Sequence, residues 1–201
     1  MGSINRKEFI FGLAALSLMA DKALADVQTS KSSRLVKSAT AQIGVTVQYD
    51  PAYTVLKYPG GDVPRFKGVC TDVVIRAYRD ALGLDLQQLV HDDMAANFSK
   101  YPKNWGLKGP DKNIDHRRVP NLRRFFERQG AALSVSDKGS DYREGDIITQ
   151  SVQGLPHIGI VSGDKALLNG NPLIIHNIGW GTKKDDVLFA FPITGHYRFG
   201  V

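Results

Sequence analysis

The chain has one cysteine in 201 residues, Cys70, so no internal disulfide can staple it. It also lacks a long hydrophobic run. The most apolar stretch, "FIFGLAALSLMA", is about a dozen residues, against the roughly 20 needed to span a bilayer. No C-x-x-C, H-x-x-x-H or H-E-x-x-H spacing occurs, so the usual sequence signatures of a zinc centre are missing. There is no glycine-rich phosphate loop, and "YPGGD" reads as a turn. Lysine and arginine (26) outnumber aspartate and glutamate (20) only mildly. The excess is spread along the chain, with no basic stripe interleaved with aromatics. That argues against nucleic acid and suits an anionic partner such as a cell-wall polymer or lipid headgroups.

What is present begins with a leader. "INRKEF" supplies a basic start with Arg6 and Lys7, the apolar run follows, and Ala23, Leu24 and Ala25 form a small-x-small cleavage site. Residues 1–25 are therefore read as a secretory signal peptide, and the protein as exported and periplasmic. Residues 26–34, "DVQTSKSSR", read as a short polar linker, and 35–201 as a single domain, with a monomer as the favoured state. In an oxidising compartment a lone thiol is either buried and inert or kept for its chemistry.

The domain divides into a helical part and a strand part. A helix is expected over about 35–43, then an extended, turn-rich stretch to Gly68. Val73, Val74, Ala77, Ala81 and Leu82 recur at helical spacing after Cys70, and Gly83 terminates them. Leu86, Leu89, Val90, Met94 and Phe98 mark a second helix that Pro102 stops. A third opens at Pro120, with Leu122, Phe125 and Phe126 inward. Between them lies the long loop "PKNWGLKGPDKNIDHRR", of a length often associated with function. The last third, "GDIITQSV", "LPHIGIVSG", "PLIIHNIG", "VLFAFP" and "GHYRFG", reads as antiparallel strands. Helices followed by a meander make an α+β pattern.

Cys70 sits where a loop becomes a helix, and a helix N-terminus lowers a thiol pKa. Gly68 would let the backbone approach a substrate, and the Cys70 N–H would serve as an oxyanion donor. A cysteine nucleophile needs a base and a group that orients the base. His157 opens the apolar run "HIGIV", and His176 ends "PLIIH" on the next strand. If the strands pair, the two imidazoles lie side by side. Each of these residues also has a bland reading, as a small buried thiol or a strand-end histidine. His116 and Arg117 stand with Asp115 and Arg118 in the long loop, where arginines could clamp a substrate carboxylate or simply fix the loop. His91 reads as solvated and His196 as structural. No cofactor or metal is called for.

"KGVCTDVVIRAY", "YREGDIIT", "PHIGIVSG" and "IIHNIG" together resemble the NlpC-type branch of papain-like cysteine peptidases. The resemblance implies a papain-like fold, with Cys at the N-terminus of a helix packed on an antiparallel sheet. It implies Cys70 as nucleophile, His157 as base, His176 as the orienting residue, and a structural Gly145–Asp146 pair. It also implies a tyrosine near the oxyanion site, for which Tyr49, Tyr53 and Tyr58 are all open. More narrowly, "GVTVQYDPAY", "YPGGDVPR", "GVCTDVVIRAYRD", "NIDHRRVPNL" and "HNIG" resemble an exported bacterial family, domain of unknown function 1287. One departure stands out. NlpC-type chains read Asp-Cys-Ser-Gly, whereas this chain reads Val69-Cys70-Thr71-Asp72. A carboxylate near the thiol raises its pKa unless Asp72 turns away or pairs with Arg65, Lys67 or Arg117.

These observations lead to one expectation and one rival. The expectation is an exported cysteine hydrolase acting on amide bonds of cell-wall peptidoglycan peptides through Cys70, His157 and His176. The rival is a non-catalytic wall-binding or regulatory module on the same scaffold.

Overall fold

The structure is a computed structural model, and it describes residues 31–201. The leader expected over 1–25 and the first part of the linker lie outside the described residues. The first helix, α1, already covers 31–40, so it takes in positions read as linker. Leu35 and Ala39 are fully buried and Ser32 nearly so, which gives this otherwise polar stretch an inward face.

Two two-residue strands follow, β1 (Gln48–Tyr49) and β2 (Lys67–Gly68), paired in parallel with Tyr49 opposite Gly68. The turn-rich chain between them is held by a buried guanidinium. Arg76 Nε donates to both carboxylate oxygens of Asp62 (3.1 and 2.9 Å), and its Nη groups reach Thr46 Oγ1 and the carbonyls of Val63 and Lys67. Arg76 belongs to α2 (Cys70–Leu82), so one helix both carries the thiol and ties down the loop in front of it. After α2 come α3 (Leu86–Asn97) and α4 (Val119–Arg128), the latter opened by Pro120 as its sequence suggests.

The rest is an antiparallel sheet of six strands. They are β3 (Ala132–Leu133), β4 (Ile147–Val152), β5 (Leu155–Lys165), β6 (Pro172–Asn177), β7 (Thr182–Asp185) and β8 (Ile193–Tyr197). Their order is β3-β8-β4-β5-β6-β7. The architecture is therefore α+β. Side chains alternate across a strand, and the burial follows suit. Ile147, Ile158, Ile160 and Ile175 join the helices in the main core, with Cys70, Val73, Val74 and Phe126. Ile148, Val161, Ile174 and Leu188 form a second cluster on the other face.

The strand expected at "VLFAFP" is instead a loop with a turn at 188–190. Its carbonyls are taken by a side chain rather than a ladder: Gln150 Nε2 donates to Val187 O and Leu188 O (2.8 and 3.0 Å). The strand in this region is the polar "TKKD" of β7, an edge strand paired with β6. Its polarity fits an edge and hides it from a search for apolar runs. No helix among the described residues is long and apolar enough to cross a membrane.

Candidate active site

Cys70 is the first residue of α2 and is buried. Three backbone N–H groups, those of Ile158, Thr71 and Cys70 itself, are aimed so as to favour its thiolate. Burial outweighs them, and with the nearby charge of Asp72 it pushes the thiol up to about 11. The N–H groups of the helix start do pull this pKa down, as the sequence suggests, but the net shift is upward. Desolvation in a dry core exceeds the pull of a few N–H groups.

Asp72 has a defined task. Its Oδ2 accepts the Val69 N–H (2.7 Å), while the Asp72 N–H reaches back to Val69 O (3.1 Å). This is the carboxylate half of a capping box at the helix start. Arg117 clamps the same carboxylate from the other side, Nε to Oδ1 and Nη2 to Oδ2, both at 2.9 Å. Arg117 also donates to Ala52 O and Asp50 O (both 3.1 Å). One guanidinium thus compensates Asp72 and fixes the chain just after Tyr49. Gly68 leaves room for this arrangement: a Cβ there would lie 2.9 Å from Asp72 Oδ2.

The histidines come from the sheet. β5 and β6 pair antiparallel, and His157 Nε2 lies 2.8 Å from His176 Nδ1. His176 Nε2 is in turn 3.3 Å from Asp185 Oδ2 on β7. Burial holds both imidazoles neutral, with His157 pushed down to about 3. The tautomers follow from the partners. A carboxylate only accepts, so His176 carries its proton on Nε2 and accepts at Nδ1. His157 then donates from Nε2, and its Nδ1 holds a free lone pair. The thiol and this imidazole come from packed elements, because Ile158, next to His157, presents its N–H to Cys70. Among the described residues, no hydrogen bond joins Cys70 to His157 in this resting geometry.

A cleft of about 210 Å³ opens beside the thiol, bordered by Tyr49, Cys70, Trp105, Arg117, Arg118 and Pro156. Of the three candidate tyrosines only Tyr49 lines it. Burial, then the charges of Cys70 and Asp72, raise its phenol to about 12, so it remains a donor at neutral pH. Tyr53 instead donates to Asp111 (3.0 Å).

Two other expected site residues lie elsewhere. Tyr58 donates to Asp92 (2.6 Å) and packs edge-on against His91. His116 is buried, does not border the cleft and is held neutral by burial, down to about 3. The short 3-10 turn Asp115–Arg117 points adjacent side chains in different directions, so only Arg117 of that pair reaches the cleft. The Gly145–Asp146 pair is structural: Asp146 accepts from His196 Nε2 (2.8 Å) and from Arg198 (2.7 and 2.8 Å). No cluster of three or more potential metal ligands occurs among the described residues.

Sequence reasoning misses Asp185 and Trp105. Asp185 sits in the polar edge strand, and Trp105 in a loop with no periodicity. No local pattern points to either.

The family described as "Domain of unknown function (DUF1287)" matches residues 36–199. The chain is also 52% identical over 176 residues to "Uncharacterized protein YijF" of Escherichia coli (strain K12), covering 87% of this chain and 85% of that relative.

Proposed function

Starting from the fact that the chain belongs to the DUF1287 family, we propose that it is an exported, periplasmic cysteine hydrolase of papain-like, NlpC-type architecture. Its substrates are amide bonds of cell-wall peptides. The observation that carries the reading is the ordered series Cys70, His157, His176, with the His157 lone pair left free on Nδ1 by the partners of the other nitrogens.

The reaction runs through a neutral thiol and a neutral imidazole. His157 Nδ1 takes the Cys70 proton as Sγ attacks the carbonyl carbon. The oxyanion is held by the Cys70 N–H and the Tyr49 hydroxyl, donors that stabilise charge only as it develops. His157 returns its proton to the leaving amine as the C–N bond breaks. Water, deprotonated by His157, then cleaves the thioester, releasing the acid and restoring the thiol. An amine in place of water gives acyl transfer. The missing Cys70–His157 hydrogen bond is compatible with this, because catalytic hydrogen bonds commonly tighten when substrate binds.

A second reading, a non-catalytic wall-binding module, is favoured by the raised thiol pKa. Alkylation by iodoacetamide separates the two. A general base contributes roughly 10²–10⁴-fold, so Cys70 labelling at pH 7 is expected to fall at least about tenfold in His157→Ala. Equal rates in both proteins, rising tenfold per pH unit toward the thiol pKa, would identify an isolated buried thiol and favour the module.

A further inference from the structure

The two adjacent arginines at the cleft are not equivalent. Arg117 is consumed: its donors go to Asp72, Ala52 O and Asp50 O. Arg118 has no hydrogen-bond acceptor for its guanidinium among the described residues, and its Nη1 is buried without a partner. Its guanidinium carbon sits 4.1 Å over the Trp105 ring. Both Arg118 and Trp105 border the Cys70 cleft, and both also border a second void, of about 10 Å³, with Asn121.

Stacking occupies the flat face of a guanidinium and leaves its in-plane N–H groups free. That is the geometry in which arginine takes a carboxylate two-pronged. The electrostatics agree. Among the cleft-lining residues, Arg117 is neutralised by Asp72, and the others apart from Arg118 carry no formal charge at neutral pH. The cleft beside the thiol therefore has one positive charge without an ion-pair partner; burial disfavours it, and the charges of Asp115 and Asp111 offset that penalty only in part. An anionic ligand would relieve that penalty.

We infer that Arg118, braced by Trp105, is a carboxylate-binding subsite next to Cys70, so that the preferred ligand carries a free carboxylate close to the bond presented to the thiol. The inference rests on the hydrolase reading only for the identity of the molecule bringing that carboxylate, an acyl donor such as a peptide with an acidic side chain or free α-carboxyl beside the scissile amide.

The test uses two probe pairs that differ in charge and little in shape. Iodoacetate and iodoacetamide alkylate Cys70, and their rate ratio is compared with the ratio on free cysteine. A charge-assisted, two-pronged contact amounts to about tenfold or more. The iodoacetate preference should exceed that of free cysteine by about tenfold, vanish in Arg118→Gln and be partly kept in Arg118→Lys.

The second pair needs no reactive thiol. Cys70→Ala protein is titrated with N-acetylglycine or N-acetylglycinamide while the Trp105 indole N–H is followed by NMR. The acid should shift it and the amide should not, and Arg118→Gln should abolish the response. An unchanged alkylation ratio together with no acid-specific shift at Trp105 overturns the subsite, whatever His157 does. Labelling independent of His157 with an intact acid-specific shift overturns the hydrolase reading and leaves the subsite standing.

Discussion

Asp72 and Arg117 form a two-pronged ion pair, both contacts at 2.9 Å, with both side chains nearly inaccessible to solvent. A carboxylate two residues from the thiol would by itself oppose thiolate formation. Here it is compensated, capped onto the helix start and used to anchor the loop carrying Tyr49. Removing one partner of a buried pair leaves a bare charge and costs about 3–5 kcal/mol. Arg117→Met should therefore lower the unfolding free energy by about that much in urea denaturation. Asp72→Asn with Arg117→Met should lose less than the two single changes added together. Asp72→Asn alone should shift the alkylation pH profile of Cys70 downward, because the nearby Asp72 charge helps to raise that thiol.

The tautomer chain makes Asp185 a positioning residue at the end of the series, 3.3 Å from His176. Its side chain is 42% exposed, so Asp185→Asn should change stability by less than about 1 kcal/mol. Imidazole ¹⁵N shifts of the wild type should show His157 protonated on Nε2 and bare on Nδ1. In Asp185→Asn that preference should weaken, because an amide can donate to His176 as well as accept from it.

Gly159 lies on β5, two residues after His157, and faces β6. A Cβ there would stand 2.6 Å from Ile174 Cγ2 and 3.2 Å from His176 Cβ. Gly159→Ala should cost about 1–3 kcal/mol through overpacking and push β6 away from β5. The expected readout is a broken His157–His176 hydrogen bond in the same ¹⁵N spectra. A side chain placed on the exposed Leu168 should do neither.

Acid should unfold this protein early. His116, His157 and His176 all have folded pKa values pushed below the usual histidine value of 6.5, the first two down to about 3. Above pH 6.5 neither state binds a proton at these rings, and stability is at its plateau. Between 6.5 and the folded value of each ring, about 3 for His116 and His157, the unfolded chain binds protons that the folded chain excludes, so stability falls as pH falls. The slope is about 1.4 kcal/mol per pH unit for each ring that titrates in this way. Urea midpoints between pH 7 and 4.5 should show it. His116→Asn, outside the cleft, should flatten the slope by one ring's share.

Much of this was legible from local pattern. Cys70 at a helix start, Gly83 after it, Pro120 opening α4 and the histidines on β5 and β6 all follow from short-range spacing, which the backbone periodicities make readable. What escaped is set by contacts far apart in the chain. Arg117 and Asp72 are 45 residues apart, and nothing local shows that Arg117 is used up and Arg118 is not. Asp185 lies on a polar edge strand, which needs no apolar alternation. The net thiol pKa is set by burial, a property of the packed core, which outweighs the lowering that the helix-start N–H groups do supply. Tyr49, Tyr53 and Tyr58 are alike in sequence, and only the parallel pairing of β1 with β2 selects Tyr49 for the cleft.

The most direct test of Cys70-dependent amide hydrolysis is digestion of purified cell-wall sacculi by the wild type and by Cys70→Ala, with mass analysis of what is released. The account predicts wild-type fragments ending in a new carboxyl and a new amine at a peptide-stem amide, absent with Cys70→Ala and strongly reduced with His157→Ala. Identical release by wild type and Cys70→Ala would contradict it.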